Sequence, residues 1–217
     1  MSSREAALQE LAPFLGLRLD AHCHVQHDAA FLAGEAPAGN HYFCMTETPG
    51  EYEQFAVLAL PSYATLGLGL HPWQVAAAEE DLFQQLDAFM RGLSQVWLVG
   101  EVGLDFSSRR APTRAQQLEA FGCIAQACGQ VGGKVLSIHG VQAAKEVLDL
   151  LDQTEYLESC LCIFHWFSGN SDQLQRAIKA GCWFSVGPRM LATKRGKAYA
   201  QPIPQQRLLY ESDAFSL

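Results

Sequence analysis

Several features that would settle the class of this chain at once are missing from it. No apolar run approaches the roughly 20 residues that a membrane-spanning helix needs, and Met1 to Gly16 lacks the apolar core of a signal peptide. A cytoplasmic protein is therefore expected. No long Pro/Ser-rich linker interrupts the 217 residues, so a single domain is expected over 1–217, with 1–16 forming an N-terminal helix. Positive charge is scarce: 15 Lys and Arg stand against 23 Asp and Glu, a net charge of -8. That balance excludes broad, nonspecific adhesion to nucleic acid, which rests on a large basic surface. It leaves room for a small site where metal ions meet a phosphate. The densest basic group, Arg189, Lys194, Arg195 and Lys197, reads as a solvated loop. The seven cysteines are odd in number, scattered and set in apolar segments, which argues for reduced, buried thiols over a disulfide framework. Cys160 and Cys162 have no second pair at zinc-finger spacing.

What the chain does have is a stretch from Leu17 to Val25 that contains His22 and His24. On a strand, alternate side chains share a face, so the two imidazoles point one way and Cys23 the other. Such a pair can begin a metal site or can be a pair of core histidines, and later strands decide between them. Helical spacing of Leu8, Leu11, Ala12 and Leu15 predicts a helix over Ser3 to Leu15, capped by Ser3. Short apolar strands are expected at His41–Met45, Thr65–Leu70, Gln95–Val99, Lys134–Ile138, Cys160–Phe164, Cys182–Val186 and Arg207–Tyr210. Helices are expected between them at Glu51–Leu60, Glu79–Leu93, Arg114–Val131, Ala143–Leu151 and Asp172–Ala180, while residues 27–40 are poor in helix signals. Strands alternating with helices call for a parallel sheet, and about eight such units for an α/β fold of the (β/α)8 TIM-barrel type.

Active sites of such barrels lie at the C-terminal ends of the strands. The pattern sets His22, His24, His71, Glu101, His139, His165 and Asp213 on that rim, a convergence of metal-competent groups that isolated structural histidines would not produce. Trp73, Trp166 and Phe167 fall near the mouth, where they could stack on exposed bases or serve as packing.

The motifs also resemble those of the TatD family of metal-dependent deoxyribonucleases, within the amidohydrolase-type metal barrels. The likeness runs from about Leu19 to Ala214. An opening D-x-H-x-H appears as Asp20-Ala21-His22-Cys23-His24, a G-x-H-P as Gly69 to Pro72, and a G-E-x-G-L-D as Gly100 to Asp105. Ile138-His139 and Phe164-His165-Trp166-Phe167-Ser168-Gly169 match the histidines of strands five and six. Arg207 to Phe215 matches the closing R-x-L-x-E-T-D-x-P, with Ser212 and Phe215 in place of the threonine and the proline.

The resemblance implies two divalent metal ions, with zinc, magnesium and manganese all suited to such ligands. His22, His24, Glu101 and Asp213 would hold one, and Glu101, His139 and His165 the other, with Glu101 as the bridge. Asp213 would orient the attacking water or take its proton. His71 would contact a phosphate oxygen or pack. The implied activity is hydrolysis of DNA phosphodiester bonds, on single strands or ends. A small ester, lactone or amide as substrate is the alternative, as is a role as a TatD-like subunit of a larger assembly. Gly140 and Val141 stand where relatives place a polar residue and an arginine. The chain stops four residues after Asp213, without the helix that usually follows strand eight. Leu17, Leu19, Leu208 and Tyr210 are accordingly expected to meet water unless covered. The N-terminal helix is expected to fill that groove, with a protein partner or a second copy of the chain as the other possible cover.

Overall fold

The structure, a computed structural model, describes residues 2–24, 39–58 and 60–213. Eight strands form one sheet in sequence order: β1 (Arg18–His24), β2 (Asn40–Met45), β3 (Ala64–Leu70), β4 (Leu98–Asp105), β5 (Val135–Val141), β6 (Leu161–His165), β7 (Trp183–Val186) and β8 (Leu208–Tyr210). Each pairs in parallel with the next. The segment after β8 turns back onto β1: Ser212 N–H donates to Asp20 Oδ1 at 2.9 Å and Asp213 N–H to the His22 carbonyl at 3.0 Å. The sheet is thereby a nearly closed (β/α)8 barrel, as the alternating pattern predicts.

Among the described residues the helices are α1 (Ser3–Leu11), α2 (Pro49–Ala56), α3 (Glu79–Leu93), α4 (Arg114–Val131), α5 (Ala144–Gln153), α6 (Tyr156–Ser159), α7 (Ser171–Lys179), α8 (Pro188–Leu191) and α9 (Lys194–Ala200). The expected poverty of helix in 27–40 lies largely outside the described residues, as does Phe215. The basic group expected as a loop falls on α8 and α9. Pro188 opens the first, and Thr193, accepting from Gly196 N–H, caps the second. Arg195 donates to the carbonyls of Ser168 and Gly169, so it ties this segment to the one after β6.

Two apolar layers hold the barrel. Outward faces of the strands pack under the helices, with Phe89, Phe121, Leu148 and Phe184 fully or almost fully buried. Inside the lower barrel sit Leu19, Ala21, Phe43, Met45, Leu98, Val135, Leu161, Ile163 and Trp183. Filling the interior with branched and aromatic side chains makes the barrel a packed core, with the polar groups confined to its upper end.

The N-terminal helix does not occupy the groove expected for it. Its cap is Ser2, one residue earlier than expected, in a reciprocal bond with Glu5. The α-helix stops at Leu11 and gives way to a 3-10 turn over Ala12–Phe14, because Pro13 has no N–H to continue the ladder. Its buried residues are Ala7 and Leu11, and these join the interior cluster at the N-terminal end of the barrel. The Arg4 guanidinium reaches the carbonyls of Leu157 and Gly181, on the β6 and β7 side. So α1 plugs the bottom of the barrel, while Leu8 and Leu15 of the expected stripe are exposed. Of the residues expected to meet water, Leu17 and Tyr210 are exposed, Leu19 is in the interior, and Leu208 packs on the outer core.

Candidate metal centre

Glu101 is the hub of the upper barrel. It is inside because β4 shifts register between Val99 and Val102, a bulge that re-aims the side chains beyond it. Gly103, at φ +137°, lets β4 close on β5: a Cβ there would stand 2.1 Å from the His139 carbonyl oxygen. The buried Glu101 carboxylate then has imidazoles on both oxygens. Oε2 lies 3.3 Å from Nε2 of both His22 and His24; Oε1 lies 3.3 Å from His71 Nε2 and 2.7 Å from His139 Nδ1. Burial alone would raise its pKa, but the surrounding imidazoles, His71 foremost, and the bond from His139 outweigh that and hold it well below the usual carboxylate range.

Three of the histidines are gripped from behind. Nδ1 of His22 is 2.7 Å from Ser137 Oγ, Nε2 of His139 is 3.3 Å from Asp105 Oδ2, and Nδ1 of His165 is 2.8 Å from Glu211 Oε2. In each case the other ring nitrogen turns towards the cleft. An outer partner of this kind fixes tautomer and orientation at metal-binding imidazoles. The inner nitrogen of His22, Nε2, is buried and makes no hydrogen bond. A polar atom left without a partner beside a carboxylate and a second imidazole is a donor waiting for an acceptor of electron pairs, so these residues fit a divalent cation.

Their proton affinities diverge. Burial and the neighbouring His165 lower His22 to about 4, which keeps it neutral. Burial pulls His165 down as well, but the Glu211 carboxylate overrides it and raises the pKa to about 9. The two rings nonetheless stack, centroids 3.8 Å apart. His24 and His139 are both raised: burial opposes, while Glu101, joined at His139 by Asp105, prevails.

Among the described residues, three groups of side chains could each hold an ion: His22, His24 and Glu101; His71, Glu101 and His139; His22, His165 and Asp213. The six residues that the resemblance implies as ligands thus line one cleft, and by distance they fall into these three groups. His165 and Asp213 share a group with His22, with Asp213 Oδ1 3.8 Å from His165 Nε2. His71 stands apart in role. It accepts the Trp73 backbone N–H on Nδ1 at 3.1 Å, so in its neutral form the ring proton sits on Nε2, which lies 3.3 Å from both His139 Nδ1 and Glu101 Oε1.

Of the mouth aromatics, Trp73 is 49% exposed and donates its indole N–H to Asp105 Oδ2 at 2.6 Å. Trp166 is half-buried with φ at 40°, a left-handed conformation rare for a bulky residue. Phe167 is buried among Phe164, Phe184 and Tyr199 and has no free face for a base. Sequence reasoning missed the outer partners. Asp105 and Glu211 were inside the quoted motifs without a role, and Ser137 is signalled only by sharing a strand face with His139, two residues on.

The class defined by this fold and site is a parallel (β/α)8 barrel with a cluster of candidate metal ligands at the C-terminal mouth. The chain belongs to the TatD related DNase family, whose family model matches residues 19–215. It is 29% identical over 170 residues to a 3'-5' ssDNA/RNA exonuclease TatD of Dickeya dadantii, covering 76% of this chain and 62% of that protein. A human deoxyribonuclease, TATDN3, is 25% identical over 218 residues, covering 92% of this chain and 78% of that one. The chain therefore spans about three fifths of the bacterial exonuclease and nearly four fifths of the human enzyme. The crystal structure of the TatD homologue YJJV from Escherichia coli superposes with a TM-score of 0.77 at 20% identity, covering 92% of this chain and 80% of that one.

Proposed function

We propose that this protein is a metal-dependent nuclease that hydrolyses DNA phosphodiester bonds on single strands or strand ends. The observation that carries the reading is the buried Glu101 carboxylate with imidazoles on both oxygens, each outer ring nitrogen of His22, His139 and His165 occupied by another side chain. The names of the bacterial and human relatives support a nucleic-acid substrate.

In this reading two divalent ions, zinc, magnesium or manganese, are held by His22, His24, Glu101, His139, His165 and Asp213, with Glu101 shared. Bound there, they would polarise the phosphodiester and make a water acidic enough to ionise near neutral pH. The chain's own groups do the rest. Asp213, at the edge of the cleft and partly exposed, takes the proton of the attacking water. His71, with its Nε2 proton turned inwards, donates to a phosphate oxygen. Trp73 and Trp166 bound the mouth where the bases of a single strand would lie. No helix among the described residues is long and apolar enough to cross a membrane. Six of the seven cysteines are buried, which suits a reducing, cytoplasmic setting.

The test is hydrolysis by the purified protein, with added Mg²⁺, Mn²⁺ or Zn²⁺, of single-stranded DNA, duplex DNA and a panel of small esters, lactones and amides. Metal-dependent shortening of single strands is the expected result. Turnover of the small substrates alone would replace this reading with that of a small-molecule hydrolase.

A further inference from the structure

Three arginines follow β4 in an acidic protein: Arg109, Arg110 and Arg114. Arg114 is engaged, stacked over Phe106 and 3.3 Å from Glu146. Arg110 is placed differently. Its guanidinium carbon lies 4.5 Å from the centroid of the Trp73 ring, and among the described residues no carboxylate pairs with it. Trp73 in turn is fixed at its other polar end, the indole N–H held by Asp105, which also holds His139 of the metal centre. A half-buried guanidinium laid on an aromatic face keeps its charge and its fan of N–H donors while losing much of the freedom it would otherwise give up on binding. The same contact occupies one face of Trp73, so the polar group presented at this side of the mouth is the cation.

We propose that Arg110, held on Trp73, is a phosphate-binding group for the nucleic-acid backbone one step away from the bond being cut. The proposal rests on the nuclease reading and adds to it a specific electrostatic anchor on a surface of otherwise negative balance. A planar guanidinium matches two phosphate oxygens at once, which a lysine ammonium does not. The chain thereby has a positive group on the Trp73 side of the mouth, apart from the basic residues of α8 and α9. The opposite side of the mouth is less suited: the Arg189 guanidinium lies 4.0 Å from an Asp213 oxygen and is already partly countered.

The experiment measures binding of a short phosphorothioate-linked single strand, which resists cleavage, to the metal-loaded wild type and to R110A and R110K over a range of salt. R110A is expected to bind about tenfold more weakly. Its plot of log affinity against log salt should be shallower by about 0.7, the loss of one phosphate contact on a single strand. R110K should recover the salt slope and only part of the affinity. Equal affinity and slope in wild type and R110A would overturn the proposal, while cutting of an ordinary single strand by the wild type would leave the nuclease reading standing. A wild type that neither binds nor cuts single strands would remove the nuclease reading, and the anchor with it. If R110A loses affinity in step with its melting temperature and without a change of salt slope, Arg110 is a latch between loops, and the proposal is overturned on that outcome too.

Discussion

Glu211 accepts the Nδ1 proton of His165 at 2.8 Å from a position with no solvent exposure. Ser185 Oγ donates to the same carboxylate oxygen, so the group that aims His165 is itself held. Glu211→Gln keeps the size but puts a weaker acceptor, or an amide donor, against His165. Metal affinity measured by calorimetry is expected to fall roughly 10- to 100-fold, the usual cost of losing an outer partner of a metal-bound histidine. Ser185→Ala, which removes only the support of that carboxylate, should give a smaller loss in the same direction. Unchanged affinity in both variants would show that His165 is oriented without Glu211.

Glu101 has a different part, since among the described residues its carboxylate is the one with imidazoles on both oxygens. Glu101→Gln removes a charge and one ligand atom while leaving the shape of the side chain. Metal content, read by elemental analysis of protein prepared without chelator, should fall and hydrolysis should cease. The far-ultraviolet circular dichroism should stay that of the wild type. Full metal stoichiometry with full activity would dismiss a shared carboxylate.

Asp213 allows proton handling to be separated from metal capture. Asp213→Asn retains a carbonyl oxygen but cannot accept a proton from water. Turnover should fall far more than metal content. Parallel losses of the two would assign Asp213 to holding the ion.

The metal-free protein should have a stability maximum near pH 6.5, and the histidines set its shape. His22 is lowered to about 4 by burial and by His165, whereas the unfolded chain takes up that proton near 6.5. As pH falls through that interval the unfolded state binds a proton that the folded state refuses, so stability declines by up to roughly 3 kcal/mol. His165 acts in the opposite sense. Its folded pKa of about 9 gives stability that is complete below pH 6.5 and is lost as pH rises towards 9. Melting temperature against pH in chelator should therefore decline on both sides, and His22→Asn should flatten the acid limb alone. An acid limb unaltered by that substitution would assign it to other groups.

Much of this arrangement is legible in the sequence. His22 and His24 share a face by simple alternation, and α3 and α4 run over the residues that their apolar periodicity marks, Glu79–Leu93 and Arg114–Val131. Less legible are the residues whose value depends on a partner far along the chain. Ser137 reaches His22 across 115 positions and Glu211 reaches His165 across 46, and no local pattern signals either pairing. The grouping of ligands has the same character. Strand order sets which residues reach the rim, but only side-chain geometry sets His165 beside His22. At the N-terminus the local signal itself pointed to the wrong face: Leu8, Leu11 and Leu15 recur at helical spacing, yet Pro13 ends the α-helix before the third of them can join the stripe.

That rotated helix gives a last prediction, which concerns the bottom of the barrel. Leu11 is fully buried with Ala7 against the interior residues of the barrel, whereas Leu8 is 39% exposed. Removing a buried leucine side chain costs the transfer free energy of its methyl groups plus the cavity left behind, about 2–5 kcal/mol. Leu11→Ala should therefore lower the free energy of unfolding by that amount. Leu8→Ala, made on the outer side of the same helix turn, should cost roughly 1 kcal/mol or less. If α1 instead lay along the outside of β8 and β1 with the Leu8, Leu11 and Leu15 stripe inwards, the two substitutions would cost similar amounts. Chemical denaturation of the two variants side by side decides between these arrangements. Arg4→Met supplies an independent check, because the Arg4 guanidinium meets the Leu157 and Gly181 carbonyls only when the helix sits beneath β6 and β7. Its replacement should destabilise by about 1–3 kcal/mol, since two partly buried carbonyls lose a charged donor.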